Sequence, residues 1–205
     1  MKKLLITAFE PFDGRGENPA LNVMARLKPS SFRGWSVFKK KLPVSGQAVG
    51  KIIPSLLAKI KPDVMISFGL AAGEASVRVE RFALNIRDYR IKDNAGQMPE
   101  GKKIKSEGPA AYFVGIDPLK LAEAVRRAKV PAHVSNFAGA YVCNQLMYEA
   151  LHAIAVQGLP AKFAFIHLPL TTEMILPEKS GKAIAPSLPL DALVRAAQAA
   201  IKAAL

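Results

Sequence analysis

Short runs that are apolar throughout alternate along this chain with longer segments whose apolar residues recur every three or four positions. Residues 2–8, rich in leucine, isoleucine and threonine, predict a first buried strand. The continuous runs "DVMISFG" (63–69) and "KFAFIHL" (162–168) predict two more, of the kind a parallel sheet covered on both faces requires. "WSVFKKKLPV" (35–44) predicts a strand with an exposed middle, and "AHVSNF" (132–137) a short one. Helical patterns lie between these runs. In 18–27, Asn18 suits the cap and Pro19 the first turn. Residues 47–60 have helical spacing, which Pro54 is expected to end or kink. Helices are also predicted over 117–130, 140–157 and 189–205, the last alanine-rich with Asp191 where the helix dipole favours an acid.

Strand–helix alternation of this kind predicts an α/β sheet with helices on both faces. The pattern breaks down over 74–116, a polar stretch too long for an ordinary connection, which is expected to hold functional loops or irregular strands. No repeat, low-complexity tract or linker divides the chain, so a single domain over 1–205 is expected.

Composition narrows the picture. Half of the 205 residues are apolar, enough for a sizeable core. The one cysteine has no internal disulfide partner, and the opening apolar run meets Glu10 and Pro11 too early for a signal peptide. No apolar run approaches the roughly 18 residues of a membrane span, so a cytoplasmic protein is expected. The net charge of +13 raises nucleic acid or an anionic surface as a partner. The basic residues are scattered, however, and the densest patch, Lys39–Lys41, lacks interleaved aromatics. A solvated basic surface is expected, with no specific nucleic-acid partner.

The candidate chemistry centres on Cys143, near the start of a predicted helix, where unpaired amides and the positive dipole end favour a thiolate and can hold an oxyanion. His167 ends a buried strand, on the side where α/β sheets usually bind ligands, and can shuttle the thiol proton. Glu80 is a carboxylate among strand-like apolar positions, suited to orienting a histidine and stabilising its cation. The residues alone leave alternatives open. Cys143 and His167 can be core residues, Glu80 can pair with Arg78 or Arg81, and His133 and His152 compete as bases. One cysteine and three scattered histidines lack zinc spacing, and no glycine-rich nucleotide loop is present, so neither metal nor cofactor is expected.

Motifs spread from end to end add a resemblance. "TAFEPFDGRGENPA", "GLAAG", "VERFALNIRDYRIKDNAGQMP", "GPAAYF", "SNFAGAYVCNQLMY", "FIHLP" and "APSLPLD" follow one another in the order found in the pyroglutamyl peptidase type I (pyrrolidone-carboxylate peptidase) family of cysteine peptidases, which the chain resembles. The resemblance implies a single-domain α/β/α sandwich with a twisted, mostly parallel mixed sheet. It implies a triad of Cys143, His167 and Glu80 that removes N-terminal pyroglutamate from peptides. It also implies Phe9 and Phe12 as pocket walls, Leu70 near the lactam and Arg90 near the oxyanion. Bacterial members of that family are commonly tetramers, so a homotetramer is an expectation of the same kind. The chain departs from the family pattern at Asp13 (glycine), Leu70 (glutamine in several members), Glu74 (arginine), Lys92 (proline) and Thr171–Thr172 (a proline-containing turn). Of these, Leu70 and Glu74 bear on substrate affinity; a related lactam or amide is the alternative substrate.

Overall fold

A computed structural model of the chain describes residues 1–176 and 185–205. Its elements run β1 (Lys2–Phe9), α1 (Pro19–Arg26), β2 (Trp35–Leu42), α2 (Gly46–Ile60), β3 (Val64–Leu70), β4 (Val77–Glu80), β5 (Phe82–Leu84), β6 (Ala111–Phe113), α3 (Pro118–Arg127), β7 (Ala132–Ser135), α4 (Val142–Val156), β8 (Lys162–Leu168), β9 (Leu170–Thr171), α5 (Thr172–Ile175), β10 (Ser187–Leu188) and α6 (Leu190–Ala204).

Six strands form one sheet in the order β2-β1-β3-β8-β4-β7. Neighbours are parallel except β8 and β4, which run antiparallel, so β4 and β7 oppose the other four. The continuous apolar runs occupy the middle: β3 is buried along its whole length and β8 beyond its first residue. The lysine-bearing run forms the edge strand β2, and its exposed Lys39–Lys41 guard that edge against pairing with another chain.

Side chains alternate across the sheet, and each face closes its own core. On one face Leu4, Ile6, Ile66, Val77, Val79 and Ile166 pack with α1, α3 and α6. On the other, Leu5, Phe9, Met65, Phe163 and Phe165 pack with α2 and α4. Burying a leucine or phenylalanine in either layer stabilises the fold by about 1.5–3 kcal/mol. The expected α/β sandwich with a mostly parallel mixed sheet is therefore what the chain forms.

Two expectations are refined. Pro54 neither ends nor divides α2, which runs unbroken from Gly46 to Ile60, capped by Ser45 at its start. The packing of Val49, Ile53 and Leu57 against α4 and the sheet outweighs the missing amide. The 74–116 segment holds a full member of the main sheet, β4, as well as the small antiparallel pair β5–β6. At the first departure from the family pattern, Asp13 has a left-handed backbone (φ 58°) and is followed by Gly14 (φ 68°). That is a conformation glycine adopts freely and aspartate tolerates better than most residues.

Candidate active site

The face packed against α2 and α4 carries a polar row at one end of the strands. Phe9 ends β1, Gly69 lies near the end of β3 and His167 near the end of β8; each is an even number of residues from Leu5, Met65 or Phe165 of this core and so lies on the same face. Arg78 and Glu80, two apart on β4, share the same face. Gly69 is the register partner of His167, and Arg78 is its partner on the other side.

Cys143 is the second residue of α4. The turn before the helix uses Gly139 (φ 81°) and the extended Tyr141, which caps α4 without a side-chain hydrogen bond and leaves its first-turn amides free of side-chain partners. Asn144 fastens this end of the helix. Buried, it accepts from Leu84 N at 2.9 Å and donates to Leu84 O and Ile86 O at 2.9 and 3.0 Å. The thiol comes to rest over Gly69: a Cβ there would lie 3.1 Å from Cys143 Sγ and 2.8 Å from the Phe165 ring. A side chain at 69 would fill the space in which the thiol meets the His167 neighbourhood.

Glu80 is fully buried and His167 nearly so. His167 Nδ1 and Glu80 Oε1 are 2.7 Å apart. Burial pushes the Glu80 carboxyl up. The His167 hydrogen bond and charge, the Ser135 hydroxyl and the Arg78 charge outweigh it, holding Glu80 below the ordinary carboxylate range. An ionised Glu80 accepts from Nδ1–H, which leaves His167 Nε2 as the basic nitrogen. Cys143 is half-buried as a residue, but its thiol is enclosed, and burial with the Glu80 charge pushes it up to about 12; Arg78 and its own backbone amide pull the other way. The helix start thus favours the thiolate as expected, but less strongly than burial opposes it. The resting group is a neutral thiol that a neighbouring base must deprotonate.

Beside the thiol lies a narrow recess, with a cavity volume of only about 10 Å³, lined by Phe9, Phe12, Asn18, Val44, Leu70, Tyr141 and Val142. Three of the residues expected to contact substrate, Phe9, Phe12 and Leu70, meet here. Arg90 does not: it is exposed, outside this lining, and forms no ion pair with Asp88 or Asp93 among the described residues. Tyr141, missed by the sequence reading although it lies two residues before Cys143, is tilted against Phe12 at 6.0 Å and meets Tyr89 edge-to-face at 4.7 Å. A larger hollow, about 500 Å³, is lined in part by Tyr89, but its buried carboxylate, Asp93, is already taken by the Gly46, Ala95 and Gln97 amides. The small recess, with a thiol in its wall, is the better candidate. The competing histidines bond elsewhere, His133 to Ser76 and His152 to Tyr112, each at 2.9 Å. No cluster of potential metal ligands occurs among the described residues.

Comparison with known proteins identifies the family of the chain. The family model described as pyroglutamyl peptidase matches residues 2–205. A pyrrolidone-carboxylate peptidase of Thermococcus onnurineus is 41% identical over 203 residues, covering 99% of this chain and 98% of the relative. One of Treponema denticola is 39% identical over 98% of this chain and 92% of the relative. Among solved structures, the pyrrolidone carboxyl peptidase of Thermococcus litoralis superposes with a TM-score of 0.93 at 35% identity, covering all of this chain and 93% of the other. The pyroglutamyl peptidase I of Bacillus amyloliquefaciens gives 0.91 at 33%, covering all of this chain and 97% of the other. With the whole chain matched in sequence and in fold, and a thiol, an imidazole and a carboxylate gathered at one end of the sheet, the protein belongs to the pyroglutamyl peptidase family.

Proposed function

We propose that the chain is a cysteine exopeptidase that releases N-terminal pyroglutamate from peptides, with Cys143 as nucleophile, His167 as base and then acid, and Glu80 as the carboxylate that orients His167. The observation that carries the assignment is the buried 2.7 Å pair of His167 and Glu80 beside Gly69, over which the thiol rests. His167 Nε2 takes the thiol proton, and Sγ attacks the carbonyl carbon of the pyroglutamyl residue. Glu80 stabilises the imidazolium formed in that step. The free amides at the start of α4 are positioned to hold the developing oxyanion. As the C–N bond breaks, His167 returns the proton to the leaving amine. Water, deprotonated by His167, then cleaves the thioester, releasing pyroglutamate and the free thiol.

The walls of the recess suit the ring in their chemistry, although the recess must widen from its cavity volume of about 10 Å³ to admit it. A lactam is flat and uncharged, and Phe9, Phe12 and Leu70 offer apolar walls without a charged group among them. Leu70 makes the recess more apolar than a glutamine would, and this motivates a related lactam or amide as the second reading. Arg90, exposed outside the recess, has no part in this assignment. None of the helices among the described residues is long and apolar enough to cross a membrane. We assign the activity to the cytoplasm, since a lone working thiol suits a reducing compartment, and carry the homotetramer as part of the same proposal.

Hydrolysis of pyroglutamyl-, prolyl- and alanyl-arylamides tests the reading. The pyroglutamyl compound should be cleaved preferentially, and one equivalent of iodoacetamide on Cys143, or Cys143→Ser, should abolish cleavage. His167→Ala should slow it by about 10²–10⁴-fold. Full activity after stoichiometric labelling of Cys143 would refute the mechanism, and preference for another amide would move the substrate.

A further inference from the structure

Arg78 is the register partner of His167 across the β4–β8 pair and lies on the same face as Glu80. Its side chain is mostly buried, with 19% of its surface exposed. The guanidinium is held on several sides: Nη1 lies 3.1 Å from Glu74 Oε1, and Nη2 donates to Ser135 Oγ at 2.9 Å and to the carbonyl of Phe137. Nη2 also lies 3.3 Å from Glu80 Oε1. That is the same oxygen that bonds His167 Nδ1, while Glu80 Oε2 has no hydrogen-bond partner among the described residues. Two cationic or hydrogen-bonding partners therefore share one carboxylate oxygen, and the unpartnered oxygen leaves the carboxylate's rotation to be set by that shared contact. A charge pair at the surface would not need this framing. A fully buried carboxylate does, because an unpaired buried charge is costly.

We propose that Arg78 is a positioning residue for the triad: its guanidinium, braced by Glu74, Ser135 and the Phe137 carbonyl, fixes the Glu80 carboxylate against His167 and offsets its negative charge near the Cys143 thiol. The inference rests on the assignment of Cys143, His167 and Glu80 made above. The titratable and charged groups that face Glu80 are His167 from β8, Cys143 from α4, and Arg78 on β4 itself with Glu74 behind it; β7 contributes the Ser135 hydroxyl. The Arg78 charge acts in the same sense on both acids, lowering Glu80 and lowering Cys143. Removing it should raise both. Glu80 then stays protonated to higher pH and fails to orient His167, and the thiol needs higher pH to ionise.

The test compares wild type, Arg78→Met and Arg78→Lys by three measurements: the pH profile of kcat/KM on a pyroglutamyl-arylamide, the pH dependence of iodoacetamide alkylation at Cys143, and thermal unfolding. In Arg78→Met the acid limb of kcat/KM should move up by about one pH unit, as for loss of an opposite charge within 4–6 Å, and the alkylation curve should move the same way. Arg78→Lys keeps the charge but not the fork. It should hold the acid limb at the wild-type position while kcat falls several-fold. A lower Tm with superimposable pH profiles in Arg78→Met would overturn the proposal and leave Arg78 a structural ion pair. Arg78→Lys identical to wild type in kcat would overturn its role in fixing Glu80. Wild type that still turns over after Cys143 is fully labelled would overturn the triad and this inference together; labelled protein that is inactive, with unmoved Arg78 profiles, overturns this inference alone.

Discussion

Phe9 and Phe12 wall the same recess but differ in what they support. Phe9 is buried among Leu5, Met65 and Phe165, whereas Phe12 is half-buried and touches the rim through Tyr141. Phe9→Ala should therefore lower stability by about 3–5 kcal/mol, as core phenylalanines do, and its loss of activity will report damage to the fold as well as the recess. Phe12→Ala should leave thermal unfolding and alkylation of Cys143 nearly unchanged while kcat/KM for pyroglutamyl substrates falls roughly 10- to 200-fold. Unfolding curves and kcat/KM measured on both variants separate the two roles; equal losses of stability would place Phe12 in the core. The departure at Glu74 also gains a physical account at this scale, because its carboxylate is one of the groups holding Arg78. Thr171, at another departure, is buried in the short pairing with Ser187–Leu188.

The elements that carry the site were legible to different degrees. β1, β3 and β8 announce themselves as uninterrupted apolar runs because both of their faces are covered. β4 does not. Its inward positions are Val77 and Val79 on one face but Arg78 and Glu80 on the other, so half of a central strand reads as charged surface. The same alternation was nevertheless the signal for Arg78, since residues two apart on a strand share a face. Tyr141 and Asn144 flank the cysteine in the chain, yet nothing in their spacing tells which way α4 begins; that follows from the contact with 84–86, a tertiary fact. Asn144→Ala removes all three of these bonds and strands buried backbone groups, which should cost about 1–3 kcal/mol. At roughly 2–4 °C per kcal/mol for a chain of this size, the fall should be plain in a thermal melt. kcat should fall with it, because the start of α4 sets where the thiol and the free amides lie. An Asn144→Ala protein with wild-type kcat would show that the helix start holds its place without this clasp.

At the scale of the whole molecule, the excess positive charge is spread over the surface instead of lining the recess, where the walls are apolar. The sheet order matters more. β8 comes late in the sequence but lies between β3 and β4, and the pair it completes, Glu80 with His167, is separated by 87 positions. Until that strand inserts, Gly69 and Glu80 belong to two unjoined halves, and the thiol on α4 has no base beside it. Long-range closures of this kind are slow compared with helix formation. In refolding, hydrolytic activity should therefore return no earlier than the slowest far-UV circular dichroism phase, measured side by side by stopped flow and discontinuous assay; earlier activity would mean that the site forms without β8. The strand order thus acts as a timer on the chemistry: the thiol gains its base, and proteolytic competence appears, only with the insertion that makes the sheet whole.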